Sequence, residues 1–304
     1  MKIAAVTITF NDDYKFEEWC SHYEEYKQDI NLHIIVDNGS SLEYLQKVKQ
    51  YFIDSIIIER KTNGGCTGAY NDGIKRALSD TEVDAILLIA NDIKLGKYAI
   101  PTLYNLLHLD SNIGMVTPVM MRVGSDTIIS LGHKITSGLS MKPLHQNISI
   151  HELNSPIQYA EAVPGGVNMA SRQFYERVGL QDENLFMYSD EVDMGIRAKK
   201  IGFKMAATSN AQCWHYHINP PGNTMRKPYA AYLMGRNKVY IAAKISLFKT
   251  IYVFVFKIFV TFLNYVIHIH SKECRNYYSY RFRGIFDGLS KNMDSKVFKG
   301  LIEN

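Results

Sequence analysis

Four cysteines, Cys20, Cys66, Cys213 and Cys274, are scattered over 304 residues and form no CxxC pair. That excludes a disulfide framework or a zinc ribbon and fits a reducing compartment. No GxGxxG follows the first apolar run, and no Gly-Lys-Ser/Thr follows the glycine-rich Asn63-Gly-Gly-Cys-Thr-Gly68. The signatures of a dinucleotide site and of an ATP-binding loop are therefore both missing. Strong charge is missing too. The formal net charge is +4, and nine Lys and Arg stand against four Asp and Glu after residue 244, so the first 244 residues sum to −1. Such a balance gives no argument for nucleic acid as a partner, and it places the positive excess in the tail. No internal repeat or low-complexity linker divides the chain. The apolar run at the N-terminus is too short for a signal peptide and soon meets Asn11-Asp12-Asp13, so it reads as the first strand of a cytoplasmic protein.

What is present is a 46% apolar share, enough for one large domain with an appendage. The first 120 residues alternate strand and helix patterns. Strands are expected at Ile3 to Phe10, Leu32 to Val36, Ser55 to Ile58, Ala85 to Ile89 and from Gly114. Helices are expected at Phe16 to Gln28, Leu42 to Tyr51, Ala69 to Leu78 and Tyr98 to Leu107. The alternation implies an α/β fold with a mainly parallel sheet flanked by helices. From Met120 to Tyr159 the pattern loosens into short β-prone pieces. Val163 to Asn168 reads as a tight turn, Ser171 to Val178 and Val192 to Ile201 as helices, and Lys204 to Ala207 as a last strand. Cys213 to Gly222 reads as a loop, and Tyr229 to Lys244 as a helix.

In such sheets ligands sit beyond the carboxyl ends of the strands. The polar punctuation there is Asn11-Asp12, Asp37-Asn38-Gly39, Asn63-Gly64-Gly65 and Asn91-Asp92, and it should converge on one edge. Asp92 ends the most apolar strand, where a carboxylate can hold Mg²⁺ or Mn²⁺ against a diphosphate or simply close a turn. Asp37 can accept from a nucleobase N–H or form an Asx turn. The turn at Asn63 to Gly68 offers N–H groups at a positive helix end. His215, with His217 beyond it, can ligate a metal. In Phe186-Met-Tyr-Ser-Asp-Glu-Val-Asp193 three carboxylates, Asp190, Glu191 and Asp193, fall within four residues at the mouth of a helix. They can take a proton from a nucleophile or complement the helix dipole.

Together these pieces resemble the family 2 glycosyltransferases of the GT-A fold, over about Ile3 to Asn237. The resemblance rests on Val6-Thr-Ile-Thr-Phe-Asn11, Val36-Asp-Asn-Gly-Ser40, Asn63-Gly-Gly with Gly68 and Asn71, and Ala90-Asn-Asp92. It continues through Gly165-Gly166, Gly179 to Glu183, Phe186 to Asp193 with Arg197, Trp214-His215 and Arg236-Asn237. The subgroup it looks most like transfers rhamnose, galactofuranose and related sugars in bacterial surface polysaccharides.

The resemblance implies a role for each matching position. Asp37 reads the base of a nucleotide diphosphate sugar (UDP- or dTDP-linked), with Thr7 and Thr9 lining that pocket. Asn11, Asn38, Asn63, Gly64, Gly68 and Asn71 complete the donor site. Asp92 fills the last place of an Asp-x-Asp metal motif whose first place holds Ala90, so Mn²⁺ or Mg²⁺ leans on Asp92 and His215. Asn91 contacts ribose or phosphate. Gly165 and Gly166 lie against the donor sugar, and Arg236 contacts phosphates or braces the site. Glu191, with Asp190 as its understudy, is the base of an inverting transfer to a glycan or lipid-linked glycan. The competing readings are a sugar-nucleotide or glycan-binding module without catalysis, suggested by Ala90, and a nucleotidyltransferase. The latter is disfavoured because Asn11-Asp12-Asp13 stands where a Gly-rich loop with Arg and Lys would be.

The expected division is a catalytic domain over 1–244, with a nucleotide-sugar half to 120 and an acceptor half from 121, followed by a helical region over 245–304. Ile245 to Ile269 is strongly apolar but interrupted by Lys249 and Lys257. At 100° per residue Ser246, Lys249, Lys257, Asn264 and His268 make one narrow polar stripe. Such an amphipathic helix packs on the domain, on a second copy in a homodimer, or in an anionic membrane surface. Lys272, Arg275, Arg281 and Arg283, interleaved with Tyr277, Tyr278, Tyr280 and Phe282, favour the inner face of the cell membrane as a peripheral location.

Overall fold

A computed structural model describes residues 2–216 and 227–302. Runs of apolar residues without polar breaks bury both faces of the central strands. In chain order the elements are β1 (Ile3–Thr9), α1 (Phe16–Tyr26), β2 (Leu32–Asp37), α2 (Leu42–Tyr51), β3 (Ile56–Glu59), α3 (Gly65–Leu78), β4 (Ala85–Ile89), β5 (Ile93–Leu95), α4 (Ala99–Leu107) and β6 (Ile113–Met121). Then come β7 (Ile128–Ser130), β8 (His133–Ile135), β9 (Met141–Pro143), β10 (Ile157–Ala160), β11 (Val167–Ser171), α5 (Arg172–Val178), α6 (Asp190–Lys200) and β12 (Lys204–His215). The chain continues with α7 (Pro228–Ile245), α8 (Leu247–Ile267), α9 (Lys272–Leu289) and α10 (Lys296–Ile302).

Among the described residues one sheet has the order β10-β12-β6-β11-β4-β1-β2-β3, with β5 added on β12 and β7 on β6. Strands β3, β2, β1 and β4 are mutually parallel, and β11 runs antiparallel between β4 and β6. Each large aliphatic side chain buried in β4 contributes roughly 2 kcal/mol, and all five of its positions are buried. The mixed, mainly parallel sheet flanked by helices is thus as expected.

The local differences have local causes. Val167–Ser171 is a strand, although the preceding Pro-Gly-Gly reads as a turn. The last strand runs on from Ala207 to His215 because register shifts around Thr208–Gln212 interrupt its alternation without ending it. Trp214 and His215 therefore lie on a strand paired with β5 rather than in a loop. His217 falls outside the described residues. α6 begins at Asp190, so all three acids lie in its first turn.

Helices α7, α8 and α9 pack together, and Val239, Ile241, Val253 and Ile285 from them share a buried cluster with Leu139, Leu185 and Val192. α9 comes so close to α7 that a Cβ at Gly284 would lie 2.1 Å from the Tyr232 carbonyl oxygen. Of the polar stripe expected on α8 only Lys257 is buried; Lys249 and Asn264 are half-buried, and Ser246 and His268 are exposed. The inward side is made by Thr250, Val253, Lys257 and Thr261, while Phe248, Val255, Phe259 and Phe262 are exposed.

Candidate active site

The polar ends of β1, β2 and β4 do converge. Asp12 organises the first of them. Its carboxylate accepts from Thr9 Oγ1, the Phe10 N–H and Asn91 Nδ2, the last at 2.8 Å. Lys15 Nζ bridges Asp12 and Asp92, 3.3 Å from each. Asp92 Oδ1 lies 3.1 Å from His215 Nε2, and Asp92 also accepts from the Tyr216 N–H through its backbone oxygen. Burial alone would raise the Asp92 carboxyl. The His215 hydrogen bond and the Lys15 charge outweigh it and hold the group at about 2.

Asp37, at the end of β2, accepts from the N–H groups of Gly39 and Ser40 through Oδ2. Its Oδ1 is buried with no protein partner among the described residues, so one acceptor is left over for a ligand donor. Asn11 stitches the neighbouring loops, accepting from the Ser41 N–H while its own N–H donates to Ser40 Oγ. The turn at Asn63 to Gly68 behaves differently from expectation. Its N–H groups already have acceptors: Gly64 donates to Asn38 Oδ1, Gly65 to Asn63 Oδ1, and Thr67 to the Phe186 carbonyl. Asn38 Nδ2 closes the network onto Asn63 Oδ1 and the Gly65 carbonyl. Gly68 packs beside the Arg60 guanidinium, which is ion-paired to Asp72. These residues build a rigid wall rather than an open anion cradle.

The acids of α6 are presented by a strained loop. Phe186, Tyr188 and Ser189 all adopt positive φ, from 62° to 68°. For non-glycine residues this conformation persists only where the surroundings enforce it. Gly65, at φ +72°, makes room on one side, since a Cβ there would lie 2.1 Å from the Phe186 carbonyl oxygen. Asn237 Nδ2 holds the other side through the carbonyls of Leu185, Met187 and Tyr188 at 2.8–2.9 Å. Arg236 is fully buried and donates to the carbonyls of Asn184, Leu185 and Met293. It braces the loop, and no surface of it is left to meet a phosphate. Asn71 does the same for the preceding segment, binding Gln181 and Glu183.

Asp190 and Glu191 lie side by side in a recess with Gly165, Asn168, Gln181 and Met194. Burial pushes Asp190 well above the usual carboxylate range, and the neighbouring Glu191 charge adds to it. Burial also raises Glu191, less strongly, because the Gly165 N–H and the Asp190 side chain hydrogen-bond to it. Gly165 packs so tightly that a Cβ on it would come within 2.9 Å of Glu191 Oε1, while Gly166 is less crowded and its carbonyl accepts from the Ala90 N–H. Asn168 Oδ1 and Gln181 Oε1 are buried without protein partners among the described residues. Asp193 does not join the pair. It is buried and held by Arg197 and Lys244, which ties α6 to α7.

The two ends lie near one another: Tyr70 of α3 is within electrostatic reach of both Asp92 and Asp190, and Cys66 of Asp12, Lys15, Asp190 and Glu191. Thr9 lies at the Asp12 end, bonded to Tyr44 and Asp12. Thr7 sits one pleat deeper, fully buried against His33, and lines no open surface. Sequence reading overlooked Asp12 and Lys15 as site residues. Asp12 had a signal in its place after β1, whereas Lys15 had none.

Among the described residues no three His, Cys, Asp or Glu side chains form a metal cluster. The Asp92–His215 pair nevertheless suits a divalent ion. A carboxylate and an imidazole are both donor types such an ion accepts, and substrate phosphates commonly complete its shell.

The sheet order, the polar groups at its carboxyl edge and the acid pair define a glycosyltransferase of the GT-A fold. Residues 26–173 match the model of glycosyl transferase family 2. It is 25% identical to the low-salt glycan biosynthesis hexosyltransferase Agl10 of Haloferax volcanii over 232 residues, 74% of this chain and 72% of the relative. Its fold is similar to that of GalNAc-T7 bound to UDP, GalNAc and Mn²⁺, with TM-score 0.64 and 12% identity. The match covers 80% of this chain but 48% of that one, so this chain spans about half of its length. The mannosyltransferase PcManGT of Pyrobaculum calidifontis, in complex with GDP-Man and Mn²⁺, matches at TM-score 0.57 and 12% identity over 95% of this chain and 87% of its own. The S. aureus TarS 1–349 structure matches at TM-score 0.55 and 14% identity over 97% and 82%. At these identities the structural likeness concerns the fold.

Proposed function

We propose that the protein moves a hexose from a nucleotide diphosphate sugar to a hydroxyl of a glycan or lipid-linked glycan in surface polysaccharide synthesis, inverting the anomeric carbon. The observation that carries this reading is the desolvated Asp190–Glu191 pair near the ionised Asp92, which lies beside His215. Asp190 keeps the shared proton and donates to Glu191, which leaves Glu191 as the base for the acceptor hydroxyl. Asn168 Oδ1 and Gln181 Oε1 accept from sugar hydroxyls beside that base. Asp37 Oδ1 accepts from an N–H of the uracil or thymine edge. Asp92 and His215 are the residues that would hold Mn²⁺ or Mg²⁺, and such an ion supplies charge neutralisation for the leaving diphosphate. The relative named as a hexosyltransferase, and the neighbours solved with UDP or GDP-Man and Mn²⁺, support donor class and metal alike. A binding module without catalysis has no use for two desolvated acids sharing a proton. The test is a panel of nucleotide sugars with and without Mn²⁺, read by thermal shift and by NMR of the product's anomeric configuration. A metal-enhanced shift and an inverted product are expected. A retained configuration overturns the proposed chemistry.

The place of work we propose is an anionic membrane surface, with α8 lying in its plane. α8 has 21 residues with a mean hydropathy of 1.9, long and apolar enough to cross a membrane by composition. Its inner side, however, is fastened to the protein through Lys257–Ser140, and Tyr252, on its exposed side, also bonds Ser137. Phe248, Tyr252, Val255, Phe259, Phe262 and Val266, at alternating spacings of three and four, are all exposed. They form one apolar face. No Asp or Glu occurs from Ile245 to Lys272, and Lys272 and Arg275 follow, which suits anionic headgroups. The full chain should float with phosphatidylcholine vesicles containing phosphatidylglycerol. A folded Phe259→Glu/Phe262→Glu variant should stay behind, and equal flotation of the two would remove the case for α8.

A further inference from the structure

The inward side of α8 leads to a second polar site. Lys257 is 5% exposed. Its Nζ lies 3.3 Å from Ser140 Oγ, and Lys238 Nζ of α7 lies 2.9 Å from the same oxygen. Arg281 of α9 is within electrostatic reach of both amines, and its Nε is buried with no partner among the described residues. Two amines from two helices thus share one neutral hydroxyl on the turn between β8 and β9, with a guanidinium from a third helix nearby.

Among the described residues none of the three forms an ion pair, although the surrounding layer contains several, such as Lys244 with Asp182. Burial first, and the neighbouring cations second, lower Lys238 to about 7 and Lys257 to about 8. A guanidinium cannot escape in this way, because Arg stays protonated in proteins. Uncompensated buried charge is costly, and three positive groups with spare N–H donors match the charge and the oxygens of one phosphate. Lys238, Arg281 and Ser140 are only half-buried, so each keeps some surface in contact with solvent.

We propose that Ser140, Lys238, Lys257 and Arg281 form an anion site that takes a phosphate or diphosphate group, separate from the donor site. Its position under the lipid-facing α8 links it to the phosphate of a lipid or lipid-linked acceptor, a link that rests on the functional reading above. The site itself does not depend on that reading.

The first arm uses the full-length chain and inorganic phosphate against sodium chloride of equal ionic strength, read by thermal shift. Phosphate should give a saturable rise of about 2–4 °C. Lys238→Met/Lys257→Met should lose it while keeping the shift caused by UDP. Arg281→Gln, a change at a half-exposed position, should weaken it and guards against a double variant that does not fold. A rise equal to that from chloride, or one unchanged in these variants, overturns the site. The second arm is flotation on phosphatidylcholine vesicles with and without phosphatidic acid. Loss of the phosphatidic acid preference in the variants assigns the phosphate to a lipid, whereas an unchanged preference with a lost phosphate shift assigns it to a soluble anion. Failure of either arm leaves the nucleotide-sugar panel untouched.

Discussion

The two ends of the site hold carboxylates of similar burial and opposite character. Asp92 is held at about 2 by His215 and Lys15, although burial pushes it up. The charges beside Asp190 are the other acids Glu191 and Asp193, and burial sends it well above its usual range. Desolvation acts in the same direction at both ends, so the partner decides the outcome. One end keeps a standing negative charge suited to a cation. The other keeps a proton and a base suited to accepting a second one.

Three variants would break or sharpen that contrast. Glu191→Gln removes the base without changing shape. Transfer should fall by about 10²–10⁴-fold, while binding of the nucleotide sugar, measured by calorimetry, stays near wild type. An active variant would move the base to Asp190, since Asp193 is already neutralised by Arg197 and Lys244. Asp92→Ala should abolish the Mn²⁺-dependent part of donor binding and leave the metal-independent part. If Mn²⁺ still enhances donor binding in the variant, the metal is held elsewhere.

The effect of Asp190→Asn is smaller and appears as a pH dependence of stability. The folded-state pKa of Asp190 lies above its unfolded value near 3.8. Its contribution is therefore fully present below that value and is lost as pH rises through the raised one. In denaturant melts the wild type should lose stability over that span, and Asp190→Asn should flatten the slope. An identical slope in both proteins would mean that Asp190 is not the group holding the proton.

Much of this arrangement could be read from the chain. The fully apolar β4 and the polar residues after each strand imply a sheet and an edge where they converge, and Asp92, His215, Asp190 and Glu191 stand out by residue type and position. Other assignments were harder because residue type does not reveal a partner. Arg236 and Asn71 carry groups fit for a ligand, yet their donors are taken by backbone carbonyls of the loop before α6. Thr7 alternates correctly along β1 but lies a pleat too deep. Lys15 stands in no pattern, and only the fold brings it between Asp12 and Asp92.

The tail shows the same limit most clearly. Its periodicity defined an amphipathic helix, and nothing in a period says which side faces out. That was decided by α7, α9 and the β8–β9 turn, which offer Ser140 to Lys257 and leave Phe248, Phe259 and Phe262 uncovered. Local order follows from the spacing of neighbouring residues, so the strands, helices and acid cluster were written in the chain itself. Protonation, pairing and orientation depend on groups remote in sequence, and only the folded molecule sets the distances between them.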